Sequence, residues 1–196
     1  SSIQSHSSVK KAALLAGFGL NNIRTIETDE NFAIDVEQLK IAIEQDIKKG
    51  LKPCAVIATI GTTNTTAMDP ISDILSLTQK HNMWLHVDAA MAGTAMILPE
   101  CRWMWDGIEG ADSIIINPHK WLGVVFDCSL YYIRNREHLV RVMSTNPSYL
   151  QTSKDNEVKN YRDWGIPLGR RFRALKLWCL IKEQGVSGLQ ERIRKD

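Results

Sequence analysis

The sequence lacks any apolar run long enough to span a membrane. A transmembrane helix needs about 18 or more consecutive apolar residues, and the longest apolar stretch here, Pro53–Ile60, has only the length of a β-strand. An excess of charge is also lacking, because 24 lysines and arginines face 22 aspartates and glutamates, for a net charge of +2. Neither a membrane nor a nucleic acid is therefore expected as the partner.

Cysteine is scarce and scattered. The four cysteines are Cys54, Cys101, Cys128 and Cys179. No two of them have the C-x-x-C spacing of a zinc site or a redox motif, and their dispersion argues against a disulfide framework. Free cysteines of this kind are typical of a reducing compartment, which predicts a cytoplasmic protein.

The chain also lacks an initiator methionine and a recognisable signal or transit peptide. It opens at Ser1 in front of a helical pattern and stops at Asp196 within another, so we expect a fragment of a longer protein. Hydrophobic residues make up 44% of its 196 residues, which is enough apolar surface to fold. The length predicts a single domain, residues 1–196.

Hydrophobic periodicity predicts alternating helices and strands. Helices are predicted at Ser5–Leu15, from the Asp35 cap to Gly50, and at Asp69–His81, Arg136–Met143, Arg170–Glu183 and Ser187–Lys195. Strands are predicted at Asn22–Thr28, Pro53–Ile60, Met83–Val87, Asp112–Asn117 and Ser129–Ile133, and a long polar loop at Ser144–Asp163. This alternation is typical of an α/β fold with a mostly parallel sheet and helices on both faces.

Sheets of this kind bind ligands at the carboxyl ends of their strands. The segments that directly follow the apolar runs are Gly61–Thr63, Asp88–Ala90 and Asn117–Lys120. These three segments are therefore the candidates for a binding site.

Lys120 is the first candidate for chemistry. It follows the predicted strand Asp112–Asn117 in the sequence Asn-Pro-His-Lys-Trp. A lysine at a buried strand end loses hydration, which lowers its pKa and frees the amine to attack an aldehyde. The alternative is a lysine that reaches back into solvent.

Asp88 directly follows the predicted strand Met83–Val87. Its carboxylate can keep a ligand nitrogen protonated, and the alternatives are a helix cap or a salt bridge. His86 lies two residues earlier on the same strand face and would make half of a metal site, but no third ligand has a suitable spacing, so no metal is expected. A nucleotide site is not favoured, because the chain lacks the phosphate loop G-x-x-x-x-G-K-[ST].

Taken together, Asp88 and Lys120 favour a pyridoxal phosphate site. This cofactor needs a lysine for its aldehyde and an acidic partner for its pyridine nitrogen, and the chain carries both at predicted strand ends. His6, Thr63 and Asn117 can add contacts, although each of them alone is also typical of a surface or turn position.

Four motifs carry a resemblance to a known family. They are HVDAA at His86–Ala90, INPHKW at Ile116–Trp121, FDCS at Phe126–Ser129 and IPLGRRFRALKLW at Ile166–Trp178. Together they closely resemble the group II pyridoxal phosphate-dependent decarboxylases, with the aromatic-L-amino-acid decarboxylase branch as the nearest match. The resemblance implies the large, cofactor-binding domain of a fold-type I pyridoxal phosphate enzyme, without its N-terminal segment and its small C-terminal domain.

The resemblance implies a catalytic role for each matching residue. Lys120 would carry the cofactor as a Schiff base, and Asp88 would keep the pyridine nitrogen protonated. His6 would stack over the ring and help to orient the substrate carboxylate, and Tyr149 would lie on a mobile loop.

Further cofactor contacts are implied by the same resemblance. Thr63 and Ala90 would line the ring, with Ala90 beneath it. Asn117 would contact the phosphate, and His119 would neighbour it.

The resemblance also implies the substrate and the product. Histidine decarboxylases of this group typically carry serine where His119 and Gly169 stand, and glutamate-specific members usually lack Trp121. An aromatic L-amino acid, converted to its amine and CO2, is therefore expected.

Aldehyde synthases on this scaffold typically replace the loop tyrosine or the stacking histidine, whereas this chain has both Tyr149 and His6. The alternatives are such an aldehyde synthase or a catalytically inactive fragment, and the full-length protein is expected to be a homodimer.

Overall fold

A four-stranded sheet forms the centre of the computed structural model, which describes residues 1–145, 153–154 and 157–196. Its strands, in spatial order, are β1 (Ala55–Thr59), β2 (Trp84–Asp88), β3 (Ser113–Ile116) and β4 (Leu130–Ile133). The β1–β2 and β2–β3 pairs are parallel, and the β3–β4 pair is antiparallel. The predicted α/β fold with a mostly parallel sheet is therefore confirmed.

The α-helices follow the predicted periodicity closely. They are α1 (Ser8–Leu15), α2 (Val36–Lys48), α3 (Ile71–Lys80), α4 (Arg136–Met143) and α5 (Ala174–Lys195). The side chain of Asp35 caps α2 as predicted, because it accepts a 3.0 Å hydrogen bond from the backbone nitrogen of Gln38. The two helices predicted at the end of the chain form one element, α5, which is broken at Gly185 by a φ of 65°.

Short 3₁₀ helices connect these elements. They span Leu20–Asn22, Ala92–Ile97, Pro99–Trp105, Ile108–Gly110 and Tyr161–Trp164. Within the described ranges, no helix combines the length and the apolar character that crossing a membrane requires.

The two faces of the sheet are buried to different degrees. Leu85 and Val87 of β2 are fully buried and share one hydrophobic core with Ile74 of α3. Burial of each such side chain contributes about 1.5–3 kcal/mol. The prediction that the run Pro53–Ile60 is buried on both faces is wrong, because Ala55 is exposed and Ile57 is only half-buried. The reason is that the second face borders a cavity, which α1 lines from the other side.

The prediction of a strand at Asn22–Thr28 is also wrong. Its first residue ends a 3₁₀ helix, and the rest makes only single bridges, a parallel one from Ile26 to Ser2 and an antiparallel one from Thr28 to Ile34. A β-rich sequence forms a strand only where a partner offers several successive hydrogen bonds, and neither partner does so here.

A second hydrophobic core lies beneath the segment that joins β3 to β4. It consists of Leu98, Leu122, Val124, Cys128, Leu189 and Ile193. The Nη2 atom of Arg192 in α5 donates a 2.7 Å hydrogen bond to the carbonyl of Leu122. The second half of α5 thereby supports the segment that carries Lys120.

Candidate active site

A cavity of about 1010 Å³ lies along the less buried face of the sheet. The carboxyl ends of the parallel strands reach its wall, as does the segment before α1. The predicted site residues among those that line it are His6, Thr63, Asp88, Ala90, Asn117 and Lys120. The structure therefore brings together side chains that are distant in sequence, at the edge where a parallel sheet places its ligands.

Asp88 is the last residue of β2 and is half-buried. Its Oδ1 atom accepts a 3.1 Å hydrogen bond from the backbone nitrogen of Ala90. No cation in the described part of the chain forms an ion pair with it, so the salt-bridge alternative has no support there. The second carboxylate oxygen is available to a ligand.

Lys120 lies in a tight turn after β3. Its backbone nitrogen donates to the carbonyl of Asn117, and its own carbonyl accepts from Gly123, both at 2.9 Å. We call the segment Asn117–Gly123 the lysine turn. The side chain of Lys120 borders the cavity but is exposed. The predicted loss of hydration at this position is therefore wrong for the described chain, because the turn carries the lysine beyond the buried end of the sheet.

His6 approaches the cavity from the segment before α1. Its Nδ1 atom accepts a 3.3 Å hydrogen bond from the backbone nitrogen of Ser8 and lies 2.8 Å from the Ser8 hydroxyl. Because a backbone N–H can only donate, this contact leaves the proton of the neutral ring on Nε2. Ser7 occupies the cap position of α1 without a side-chain hydrogen bond, and the Ser8 hydroxyl contacts His6.

Two polar atoms at the cavity wall have no hydrogen-bond partner among the described residues. They are the Oδ1 atom of Asn117 and the Oγ1 atom of Thr59, and both are buried. An unpaired buried polar atom costs about 1–3 kcal/mol, so both are available to a bound group. Thr59 was missed in the sequence because it belongs to the apolar run, although it stands in register with Asp88 across the β1–β2 pair.

The two threonines after Gly61 have different environments. Thr62 is buried, and its hydroxyl lies 2.6 Å from that of Thr65 and accepts a 3.0 Å hydrogen bond from the backbone nitrogen of Ala67. Thr63 is exposed and borders the cavity. Thr62 therefore stabilises the turn, whereas Thr63 is free to contact a ligand.

His86 borders the cavity on the same strand face as Asp88. Its Nδ1 atom lies 2.8 Å from the hydroxyl of Ser113, which also accepts a 2.9 Å hydrogen bond from the indole nitrogen of Trp84. Burial lowers the pKa of His86, and the charge of Asp88 opposes this only partly. Burial thus favours the neutral form of the His86 ring.

His119 is a predicted site residue that is not among the described residues at the cavity wall. His119 lies on another side of the lysine turn, where its Nδ1 atom is 2.7 Å from the carbonyl oxygen and 3.1 Å from the backbone nitrogen of Cys128. Tyr149 lies outside the described residues. Their predicted roles stay predictions.

Comparison with known proteins identifies the family of this chain. The sequence profile of the pyridoxal-dependent decarboxylase conserved domain matches residues 1–196. The aromatic-L-amino-acid decarboxylase of Drosophila lebanonensis is 46% identical over 195 residues, which are 100% of this chain and 48% of that protein. The phenylacetaldehyde synthase of a Rosa hybrid cultivar is 44% identical over 195 residues, 97% of this chain and 38% of that protein.

A solved structure agrees with this match. The crystal structure of Oryza sativa TDC with PLP and tryptamine superposes with a TM-score of 0.95 at 43% identity, over 98% of this chain and 40% of that one. The chain thus spans less than half the length of the relatives that it matches. With its whole length matched by the family profile and its fold shared with a solved structure, the chain belongs to the pyridoxal-dependent decarboxylase family.

Proposed function

We propose that this chain is part of the cofactor-binding large domain of an enzyme that decarboxylates an aromatic L-amino acid to its amine and CO2. One observation carries the proposal: Lys120 and Asp88, an amine and a carboxylate without an ion-pair partner among the described residues, border the same cavity. The similar proteins include an aromatic-L-amino-acid decarboxylase, which supports the substrate class.

The residues at the cavity wall fit pyridoxal phosphate. An aldehyde needs an amine, a pyridine nitrogen needs an acid, and a phosphate needs hydrogen-bond donors. Lys120 and Asp88 supply the first two groups, and the side-chain amide and hydroxyl of Asn117 and Thr63 supply donors. The buried Oδ1 atom of Asn117 and Oγ1 atom of Thr59, which lack partners among the described residues, further support a polar occupant.

When bound, pyridoxal phosphate supplies an electron-withdrawing ring that accepts the electrons released as CO2 leaves the substrate. Lys120 would provide the amine that holds the aldehyde. The carboxylate of Asp88 would keep a proton on the ring nitrogen. His6 forms one side of the site, and its Nε2–H is free to donate to the substrate carboxylate.

The product of the reaction is proposed to be the amine. Tyr149 is the proposed acid that returns a proton to the α-carbon of the substrate, because a loop phenol can act as a general acid and aldehyde synthases on this scaffold typically replace this tyrosine. The alternative is an aldehyde synthase, which the similarity to the Rosa phenylacetaldehyde synthase keeps open, because its identity of 44% is close to that of the decarboxylase.

The whole enzyme is proposed to be a cytoplasmic homodimer. Its four cysteines are all free, which supports a reducing compartment. Large apolar side chains lie exposed in two segments, 125–126 and 166–172, and exposed apolar patches mark interaction surfaces. They are Val125, Phe126, Ile166, Leu168 and Phe172.

Borohydride trapping tests the proposed function. The full-length enzyme is loaded with pyridoxal phosphate, reduced, digested and mapped. We expect the label on Lys120 and its loss in Lys120→Ala. Lys52→Ala is a matched control, because Lys52 also borders the cavity but precedes β1. A label on another lysine, or its persistence in Lys120→Ala, contradicts the assignment.

A further inference from the structure

Two family motifs that have no role in the proposed chemistry contact each other. Asp127 of the FDCS motif accepts hydrogen bonds from Arg171 and Arg173 of the PLGRRFR motif. The Arg173 Nε atom lies 3.0 Å from the Asp127 Oδ1 atom, and the Arg173 side chain is only 27% exposed, compared with 71% for Arg171. Arg173 is therefore the more buried of the two partners.

FDCS in turn contacts the lysine turn. Cys128, directly after Asp127, is buried in the second hydrophobic core. Its carbonyl accepts a 3.3 Å hydrogen bond from the backbone nitrogen of His119, and its backbone contacts the His119 ring at Nδ1. The ring of Phe126 packs edge-on against His119, with 4.9 Å between the ring centroids.

These contacts form a continuous path to Lys120. The path runs from Arg173 through Asp127 and Cys128 to His119, which directly precedes the lysine. It reaches the lysine turn from outside the cavity, since neither His119 nor Asp127 belongs to the cavity wall. The INPHKW motif borders the cavity through Asn117 and Lys120. The FDCS and PLGRRFR motifs support the lysine turn from the side that faces away from the cavity.

We propose that Asp127 is a positioning residue whose ion pairs with Arg173 and Arg171 fix the lysine turn, so that the amine of Lys120 meets the cofactor aldehyde. The proposal rests on the proposed function, in which Lys120 binds pyridoxal phosphate. Exposed ion pairs contribute little to the free energy of unfolding. The effect of these pairs is therefore expected in the geometry of the lysine turn and hardly in overall stability.

The ion pairs persist over the working pH range of an enzyme. The guanidinium of Arg173 lowers the pKa of Asp127 to about 2, so the carboxylate is charged at any pH well above that value.

Glu100 offers a matched control. It pairs with Arg194 of α5 through two hydrogen bonds, and its pKa is also about 2. Among the described residues, neither Glu100 nor Arg194 hydrogen-bonds to the lysine turn, although Arg194 belongs to the half of α5 that supports it through Arg192. Glu100→Gln therefore removes the same kind of interaction at a different place.

The experiment measures how fast the full-length apoenzyme attaches added pyridoxal phosphate to Lys120. Borohydride-trapped label is followed against time and cofactor concentration in wild type, Asp127→Asn, Arg173→Gln, Asp127→Glu and Glu100→Gln. We expect Asp127→Asn and Arg173→Gln to lower the maximal rate about tenfold or more, with the half-saturating concentration unchanged, because a displaced nucleophile loses reactivity and binding is intact. Asp127→Glu should recover most of the rate.

Control and stability data separate positioning from folding. Glu100→Gln should attach the cofactor within about twofold of the wild-type rate, and urea midpoints of all variants should stay close together. A wild-type rate in Asp127→Asn, or an equal loss in Glu100→Gln, overturns the positioning role and leaves the proposed function standing. Absence of label on Lys120 in the wild type overturns both.

Discussion

Asp69 and Thr59 are joined by two reciprocal hydrogen bonds. The Asp69 Oδ2 atom accepts from the backbone nitrogen of Thr59 at 2.7 Å, and the Asp69 nitrogen donates to the Thr59 carbonyl at 2.9 Å. The Oδ1 atom accepts a further 2.8 Å hydrogen bond from the backbone nitrogen of Ile34. Asp69 is buried, and burial raises the pKa of its carboxyl despite these bonds. One side chain thereby fixes the end of β1, from which the loop at Gly61 leads into the cavity.

Asp69→Asn is expected to destabilise the protein. An amide offers one acceptor oxygen and turns its NH2 group towards a backbone donor, so either Ile34 or Thr59 keeps an unpaired buried N–H. The expected loss in the free energy of unfolding is about 1–3 kcal/mol, measured by urea denaturation. Asp35→Asn is the control, because this exposed cap accepts one hydrogen bond and asparagine caps equally well. Equal losses in the free energy of unfolding in the two variants would show that an unpaired backbone donor is not the cause of the loss in Asp69→Asn.

Acid should weaken the protein partly through Glu100. Its hydrogen bonds with Arg194 lower its pKa from 4.5 to about 2 in the folded state. A carboxyl whose folded pKa is depressed stabilises the fold above its unfolded pKa and loses that contribution as the pH falls towards the folded value. Between pH 4.5 and 2, the urea midpoint of the wild type should therefore fall more steeply than that of Glu100→Gln. Parallel curves would show that the Glu100–Arg194 pair makes no contribution to the free energy of unfolding.

Asp88→Asn should leave the cofactor bound and slow the reaction. An amide cannot stabilise the positive charge on the ring nitrogen, so the full-length enzyme is expected to lose about 3 kcal/mol of transition-state stabilisation, which is roughly 100-fold or more in kcat. Steady-state kinetics give kcat, and absorbance gives the bound cofactor. A kcat within about tenfold of the wild type would reduce Asp88 to a structural role.

Tyr149→Phe should change the product. A phenol that returns a proton to the substrate is worth about 10²–10⁴-fold, so its loss should slow amine formation and favour oxidation to the aldehyde. Amine, aldehyde, ammonia and peroxide are measured in the full-length enzyme. Amine formation at the wild-type rate in the variant contradicts the proton-donor role, and mostly aldehyde and peroxide from the wild type contradicts the decarboxylase proposal.

The sequence predicted the elements whose signal is local. Buried strands appear as apolar runs, so β1 and β2 lie within one or two residues of their predicted bounds, and the residues after them meet at one edge because parallel strands end together. Where the formation of a strand depends on a hydrogen-bonding partner elsewhere in the chain, the prediction of that strand failed. Asn22–Thr28 has strand-forming residues, but its partners offer single bridges.

Contacts between segments that are distant in the sequence could not be predicted from it. The side chain of Asp69 stands next to Pro70 and resembles a helix cap, yet it makes its hydrogen bonds to Ile34 and Thr59. Similarly, nothing in the spacing of Asp127 and Arg173 indicates that they pair. Such pairs depend on how loops meet after the sheet has formed.

The contact between Arg192 and Leu122 bears on how the protein is made. The two residues are 70 positions apart, so Leu122 leaves the ribosome well before its partner. At about 5–20 residues per second, the delay is roughly 4 to 14 s. During that time β1, β2 and β3 have all been synthesised, but the lysine turn lacks the half of α5 that supports it. A nascent chain can therefore complete β1, β2 and β3 before the lysine turn receives its support from α5.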